Sequence, residues 1–246
     1  AGTKAIFAKF DFFHTASSQM KSICLHYRKT YARLQEFSLL FPRARATMEK
    51  DFGGVAMRFG VCMPIEQAEF IAKLGFDYLE VSAAGLAEMT EAQFADFLQK
   101  NEAAPIHAEA ANCMFPGSIK LTGDNVDFEA IQTYVNHAIG RLAQAGIKIG
   151  VFGSGGSRRV PENFPREKAW EQLKTVAKIL GDAVKDGVTI ALEPLRHEET
   201  NIFTMQPEAL KFVKEVNHPH FKLLCDYYHL ISENGTPEMV EQCGDI

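Results

Sequence analysis

Thr189-Ile190-Ala191-Leu192-Glu193-Pro194-Leu195 is an aliphatic, partly β-branched run that meets a glutamate and then a proline. Bounded by Gly187 and Pro194, it reads as a short buried strand with a carboxylate at its C-terminal end. An unpaired carboxylate is expensive to bury. Glu193 is therefore paired, bound to a metal, or reaching solvent at the sheet edge. A second run of the same design, Phe221-Lys222-Leu223-Leu224-Cys225-Asp226, places Asp226 33 residues after Glu193. Pro207 opens a helix to about Val216 between the two runs, and two acid-ended strands around a helix make a βαβ unit.

Outward from that pair the same alternation continues upstream. Strands are expected at Arg58 to Met63, Tyr78 to Val81, Ile106 to Ala110 and Gly146 to Phe152. Helices are expected from Pro64 to a C-cap at Gly75, from Glu91 to Lys100, from 128 to 145 and from Arg166 to Lys185. Thr90 is the expected N-cap of the second of these, with Gln93 placed for a capping box. Pro237 opens a last short helix. Strand-then-helix repeats of this length make a parallel sheet, and right-handed crossovers place the helices on one side of it. The expected fold is a parallel (β/α)8 TIM barrel of which about six βα units are present over 57–246. A complete barrel has eight units, so roughly 50 to 70 residues of its usual ~250 are expected to be missing. The alternative is a doubly wound open sheet, against which no GxGxxG follows the first strand.

Residues 1–56 differ from the rest. They hold 9 Lys and Arg against 4 Asp and Glu, while the remainder holds 17 against 27. They also carry seven of the nineteen phenylalanines, an acid-free stretch from His14 to Arg33, and one possible helix from about Ser17 to Phe37. Two readings stand: a basic targeting segment, or a poorly structured N-terminal extension ahead of a native start at Met57. Phe52-Gly53-Gly54-Val55-Ala56 is what translation of a purine-rich ribosome-binding site yields, which favours the second.

The formal net charge of −5 leaves no electrostatic footprint for nucleic acid, and no run approaches the roughly 18 apolar residues of a membrane span. Five scattered cysteines without a CxxC pair argue for a reducing, cytoplasmic setting.

In a barrel, functional groups stand at the C-terminal strand ends and in the loops beyond. Those ends are Cys62, Glu80, Glu109 with Asn112, the loop Gly153 to Arg159, Glu193, and Asp226 with His229. Carboxylates brought together from adjacent strands repel, and a divalent cation resolves the repulsion. A Glu/Asp/His shell suits Mn²⁺, Mg²⁺, Co²⁺ or Zn²⁺. His107, expected inside the third strand, either lines the pocket or packs in the core. Glu80 and Glu109 read as rim hydrogen-bond formers. The Gly153 to Arg159 loop either cradles a phosphate with its backbone and two guanidiniums or is a flexible loop with solvated arginines.

Glu193-Pro194-Leu195-x-x-x-Glu199, followed by Asp226-Tyr227-Tyr228-His229, resembles the xylose isomerase-like TIM barrels. It is most similar to their sugar phosphate isomerase/epimerase group, which includes the ketose 3-epimerases. The resemblance runs from about Met57 onward and implies a metal held by Glu, Asp, His and a second Glu from four strands. By motif, Glu193 and Asp226 are the first two ligands, with Mn²⁺ the first choice of metal. Glu193 doubles as the catalytic acid/base, and Glu199 and His229 contact substrate, with Asn112 and His107 as further pocket candidates. The implied activity is isomerisation or epimerisation of a sugar, keto-sugar or sugar phosphate by proton transfer through a metal-bound enediolate. The implied partner is a small carbohydrate, in a chain that can form a homo-oligomer. The ligand His and second Glu belong to later strands, into which Cys243-Gly244-Asp245-Ile246 resembles the lead. Two rivals remain: a non-catalytic barrel fragment that binds a sugar or a partner, and an endonuclease IV-like metal-dependent hydrolase.

Overall fold

The computed structural model describes residues 58–184 and 187–244. The extension 1–56, its possible helix, the start at Met57, Lys185 at the end of the fourth helix, and the last two residues lie outside the described residues. Six parallel strands form one sheet: β1 (Gly60–Cys62), β2 (Tyr78–Ser82), β3 (Ala108–Asn112), β4 (Ile149–Phe152), β5 (Thr189–Leu192) and β6 (Phe221–Leu223). They neighbour one another in chain order. A doubly wound sheet reverses its strand order part-way along; this one never does, so the sheet is six staves of a TIM barrel.

The helices are α1 (Ala68–Lys73), α2 (Ala83–Glu88), α3 (Glu91–Ala103), α4 (Phe128–Gln144), α5 (Gly155–Arg158), α6 (Arg166–Asp182), α7 (Gln206–Val216), α8 (Tyr227–Ser232) and α9 (Pro237–Glu241). Among the described residues none is long and apolar enough to cross a membrane. The capping box before α3 is present, with Thr90 accepting from the Gln93 N–H and Gln93 reaching back to the Thr90 N–H at 2.9 Å. Such a cap contributes about 1 kcal/mol. Asp127 caps α4, whose Ile131, Val135, Ala138, Ile139 and Leu142 fall on one buried stripe. Gly75, at φ 91°, ends the first helical segment as expected. That segment opens differently, because Pro64 leads into a 3₁₀ turn, Ile65–Gln67, before α1 begins.

Side-chain alternation sorts the sheet into two faces. Val61, Leu79, Val81, Ile190, Leu192 and Phe221 pack with the helices in one apolar core, each worth about 1.5–3 kcal/mol on full burial. The residues between them, such as Cys62, Glu80, Ala191 and Glu193, face the other side. Three short helices stand where no helix is expected. α2 is Ala-rich and follows β2 without a break, started by Ser82, whose Oγ accepts from the Gly85 N–H at 3.0 Å. α5 occupies the Gly153 to Arg159 stretch, and α8 follows directly on Asp226.

The third strand lies two residues later than expected. Asn101 in the last turn of α3 is buried, accepts from the Ala108 N–H at 2.8 Å and donates to the Ala145 carbonyl at 3.1 Å. This anchor starts β3 at Ala108 and leaves Ile106 and His107 in the turn before it.

Candidate metal and substrate site

β5 delivers Glu193 to the rim. The ladder continues one residue past the strand, with the Glu193 N–H donating to Phe152 at 3.2 Å, before Pro194 ends it. Glu193 is only 2% exposed. Its carboxylate lies against the end of β4, where a Cβ on Gly153 would come within 2.4 Å of its Oε2. Glycine there is a condition for the carboxylate's position, and the sequence contains no period or cap that marks it.

β6 likewise extends through Leu224, whose N–H donates to Leu192 at 2.8 Å. Asp226 follows, 1% exposed, as the N-cap of α8. Its Oδ1 accepts from the N–H groups of Tyr228 at 2.7 Å and His229 at 3.4 Å. One oxygen thus starts a helix while the other, Oδ2, faces His229 Nε2 at 3.7 Å. The single turn from Asp226 to His229 is what folds the imidazole, 3% exposed, back over its own cap. His229 Nδ1 in turn lies 3.3 Å from Glu199 Oε2. Glu199 sits in the loop after β5, where Arg196 Nε approaches its carboxylate at 3.5 Å and the Arg196 guanidinium covers the Tyr228 ring at 4.9 Å.

Glu193, Asp226 and His229 each place one donor atom within 4.8 Å of the others. Two ionised carboxylates at that distance repel by roughly 3 kcal/mol or more at an effective dielectric near 20. Two carboxylate oxygens and an imidazole nitrogen, buried and convergent, are a donor set that fits a divalent cation such as Mn²⁺, Mg²⁺, Co²⁺ or Zn²⁺.

Of the expected site residues, Glu193, Asp226, His229 and Glu199 come together. Asn112 stands elsewhere on the rim, donating to Cys62 Sγ at 3.6 Å and lining a cavity of about 510 Å³ with Cys62, Glu80, Ser82, Leu86 and Phe97. His107 is not at the rim. It is exposed, precedes the N-terminal end of β3, and its Nδ1 contacts the Asn101 carbonyl at 2.6 Å. The register anchored by Asn101 excludes His107 from both the pocket and the core. Glu109 is likewise away from the strand end, in an ion pair with Arg58 ahead of β1.

The Gly153 to Arg159 segment is neither a phosphate cradle with two guanidiniums nor a flexible loop with solvated arginines. Ser154, at φ 38°, opens α5, which carries Arg158 into full burial. Arg159 turns away to donate to the Glu198 carbonyl at 3.0 Å. The adjacent Ser157-Arg158-Arg159 looks like a polar surface run, and no sequence signal separates the buried arginine from the exposed one.

The model for the xylose isomerase-like TIM barrel matches residues 68–245. The chain belongs to that family. Among curated relatives, an L-ribulose 3-epimerase from Methylomonas sp. (strain DH-1) is 27% identical over 71% of this chain and 60% of its own length. A D-psicose 3-epimerase from Agrobacterium fabrum (strain C58 / ATCC 33970) is 24% identical over 72% and 63%. The chain thus spans about three-fifths of the length of these relatives. Among solved structures, D-psicose 3-epimerase with D-tagatose from Clostridium cellulolyticum H10 superposes with a TM-score of 0.62 at 21% identity, covering 73% of this chain and 64% of that one. An AP endonuclease, family 2, from Brucella melitensis superposes at 0.60 and 19%, covering 74% and 70%. Likeness at these identities shows the xylose isomerase-like fold and does not separate the epimerases from the endonucleases that share it.

Proposed function

We propose that residues 57–246 form one barrel unit carrying the metal-binding and first proton-transfer part of an isomerase or epimerase acting on a sugar, keto-sugar or sugar phosphate. The observation that carries this reading is the convergence of Glu193, Asp226 and His229 within 4.8 Å, with Glu199 against His229. Glu193 and Asp226 hold the cation, Mn²⁺ before Mg²⁺, Co²⁺ or Zn²⁺. When bound, the cation offsets the carboxylate repulsion and polarises a substrate carbonyl. Glu193 takes or returns the proton on the carbon beside that carbonyl, through an enediolate. His229 and Glu199, already in contact, orient substrate hydroxyls, and burial of Glu193, Asp226 and His229 keeps water from competing for the proton. Asn112 and the cavity beside it accommodate the body of the substrate.

The relatives' names, L-ribulose and D-psicose 3-epimerases, support a ketose as the first substrate to try. An endonuclease IV-like hydrolase calls for several ligand histidines, and among the described residues the cluster contains one.

The test is a Mn²⁺ titration of the full chain followed by turnover on a ketose panel with Mn²⁺ supplied. Binding that disappears in Glu193→Gln and in Asp226→Asn supports the reading. Mn²⁺ binding at wild-type affinity in both variants would falsify the cation site, and turnover surviving in Glu193→Gln removes that residue from proton transfer.

A further inference from the structure

A buried cation stands behind the acid cluster. Arg158 is 0% exposed, and its guanidinium donates to three backbone carbonyls. Nη1 reaches Phe152 at 3.0 Å, and Nη2 reaches Glu193 at 2.8 Å and Phe203 at 3.5 Å. The Phe152 carbonyl ends β4, the Glu193 carbonyl ends the β5 ladder, and the Phe203 carbonyl closes the loop that bears Glu199. The Phe203 carbonyl also accepts from the Leu195 N–H at 3.1 Å.

Phe203 is itself held at φ 56° while fully buried. A large side chain persists in that region only where its surroundings over-determine it. The Arg158 fork and the Leu195 N–H are two such determinants. The rings of Phe152 and Phe203 lie 5.7 and 5.5 Å from the guanidinium carbon, completing a largely apolar socket around a charge. Burial pushes the guanidinium down to about 10, and the nearby carboxylates of Glu193, Glu208 and Glu199 act in the opposite direction. It therefore remains charged at neutral pH.

A guanidinium's planar fork can hold several carbonyls at once, whereas an ammonium is a compact point charge without that geometry. We propose that Arg158 is a positioning residue: by clamping the carbonyls of Phe152, Glu193 and Phe203, it fixes where Glu193 and Glu199 stand relative to Asp226. It thereby sets the affinity of the cluster for a divalent cation. This role rests on the reading of Glu193 and Asp226 as cation ligands.

A second buried arginine supplies the control. Arg141 on α4 donates to the carbonyls of Leu86 at 2.5 Å and Met89 at 2.6 Å and pairs with Glu91 at 2.7 Å. It ties α2, α3 and α4 together and touches none of the acid cluster. Arg158→Lys and Arg141→Lys are therefore compared in the full chain, reading free Mn²⁺ by electron paramagnetic resonance and stability by thermal unfolding. Arg158→Lys is expected to weaken Mn²⁺ binding about tenfold or more, within the ~10–100-fold usual for outer partners of ligands. Arg141→Lys is expected to lower Tm with Mn²⁺ affinity unchanged. Wild-type Mn²⁺ affinity in Arg158→Lys, or an equal loss in Arg141→Lys, overturns the positioning role alone. A wild-type chain that does not bind Mn²⁺ overturns the cation reading and this role with it. Arg158→Gln is the second variant, with the same expectation. If neither Arg158 variant folds, the proposal is overturned, since Arg158 is then a requirement of the fold.

Discussion

At the ends of β5 and β6 the polar groups are buried and held against one another, whereas at the ends of β1 to β3 Cys62, Glu80 and Asn112 line a cavity of about 510 Å³. In the first region nearly every atom of the acid cluster has its place set by something else. Asp226 is set by the helix it caps, Glu193 by Gly153 and Arg158, and His229 by the turn between Asp226 and itself. In the second region apolar and polar groups share the walls, and Asn112 donates to Cys62 Sγ across the strand ends. Groups that must hold charge close together need fixed geometry. A surface that takes the uncharged body of a ligand needs shape and a few polar anchors. In the proposed function the two regions divide those tasks.

Four substitutions would break or sharpen that contrast. Glu193→Gln is expected to have the largest effect, weakening Mn²⁺ binding by more than the ~10–100-fold typical of an outer partner, measured by direct titration. Retained affinity would mean that the buried half of the rim is not a cation site. Gly153→Ala comes next. Its new Cβ, 2.4 Å from Glu193 Oε2, must displace the carboxylate, and a loss on the order of tenfold in Mn²⁺ affinity is expected while the helix content seen by circular dichroism is unchanged. An unaltered Kd would show that the carboxylate tolerates a shift and that the geometry is looser than it looks. Thr90→Ala removes the α3 cap and is expected to cost about 1 kcal/mol in chemical denaturation, leaving Mn²⁺ affinity at wild type. A change in affinity there would couple the cluster to a helix it does not touch. Asn112→Ala is expected to have the smallest effect on Mn²⁺, none in titration, while raising KM for any ketose the protein turns over. Weaker Mn²⁺ binding in this variant would merge the two halves of the rim into one site.

Much of this molecule is legible before any coordinates. The apolar runs, the helical stripe of residues 128–145, the Thr90 cap and the glycine and proline boundaries are local features, so local reading finds them. The Glu193 to Asp226 spacing and the motif ending in His229 marked the residues that the fold brings together. What local reading misplaced has a common cause. Strand position alone puts His107 inside β3 and Glu109 at its end, but Asn101 in the helix before it sets the register of β3. The Gly153 to Arg159 run reads locally as a phosphate cradle or a loop with solvated arginines, yet contacts from β5 and the loop beyond it bury Arg158 and leave Arg159 outside.

The sequence alone determined the alternation of strands and helices, the parallel sheet that follows from it, and the identity of the acidic strand ends, because these depend on side-chain periodicity and chain connectivity. Only the tertiary structure decided that Glu109 stands away from the cluster, that Asp226 caps the helix carrying His229, that Gly153 makes room for Glu193, and that Arg158 is buried behind it. Those outcomes depend on distances between segments far apart in the chain, and burial of a charge is settled by the groups that surround it rather than by its neighbours in sequence.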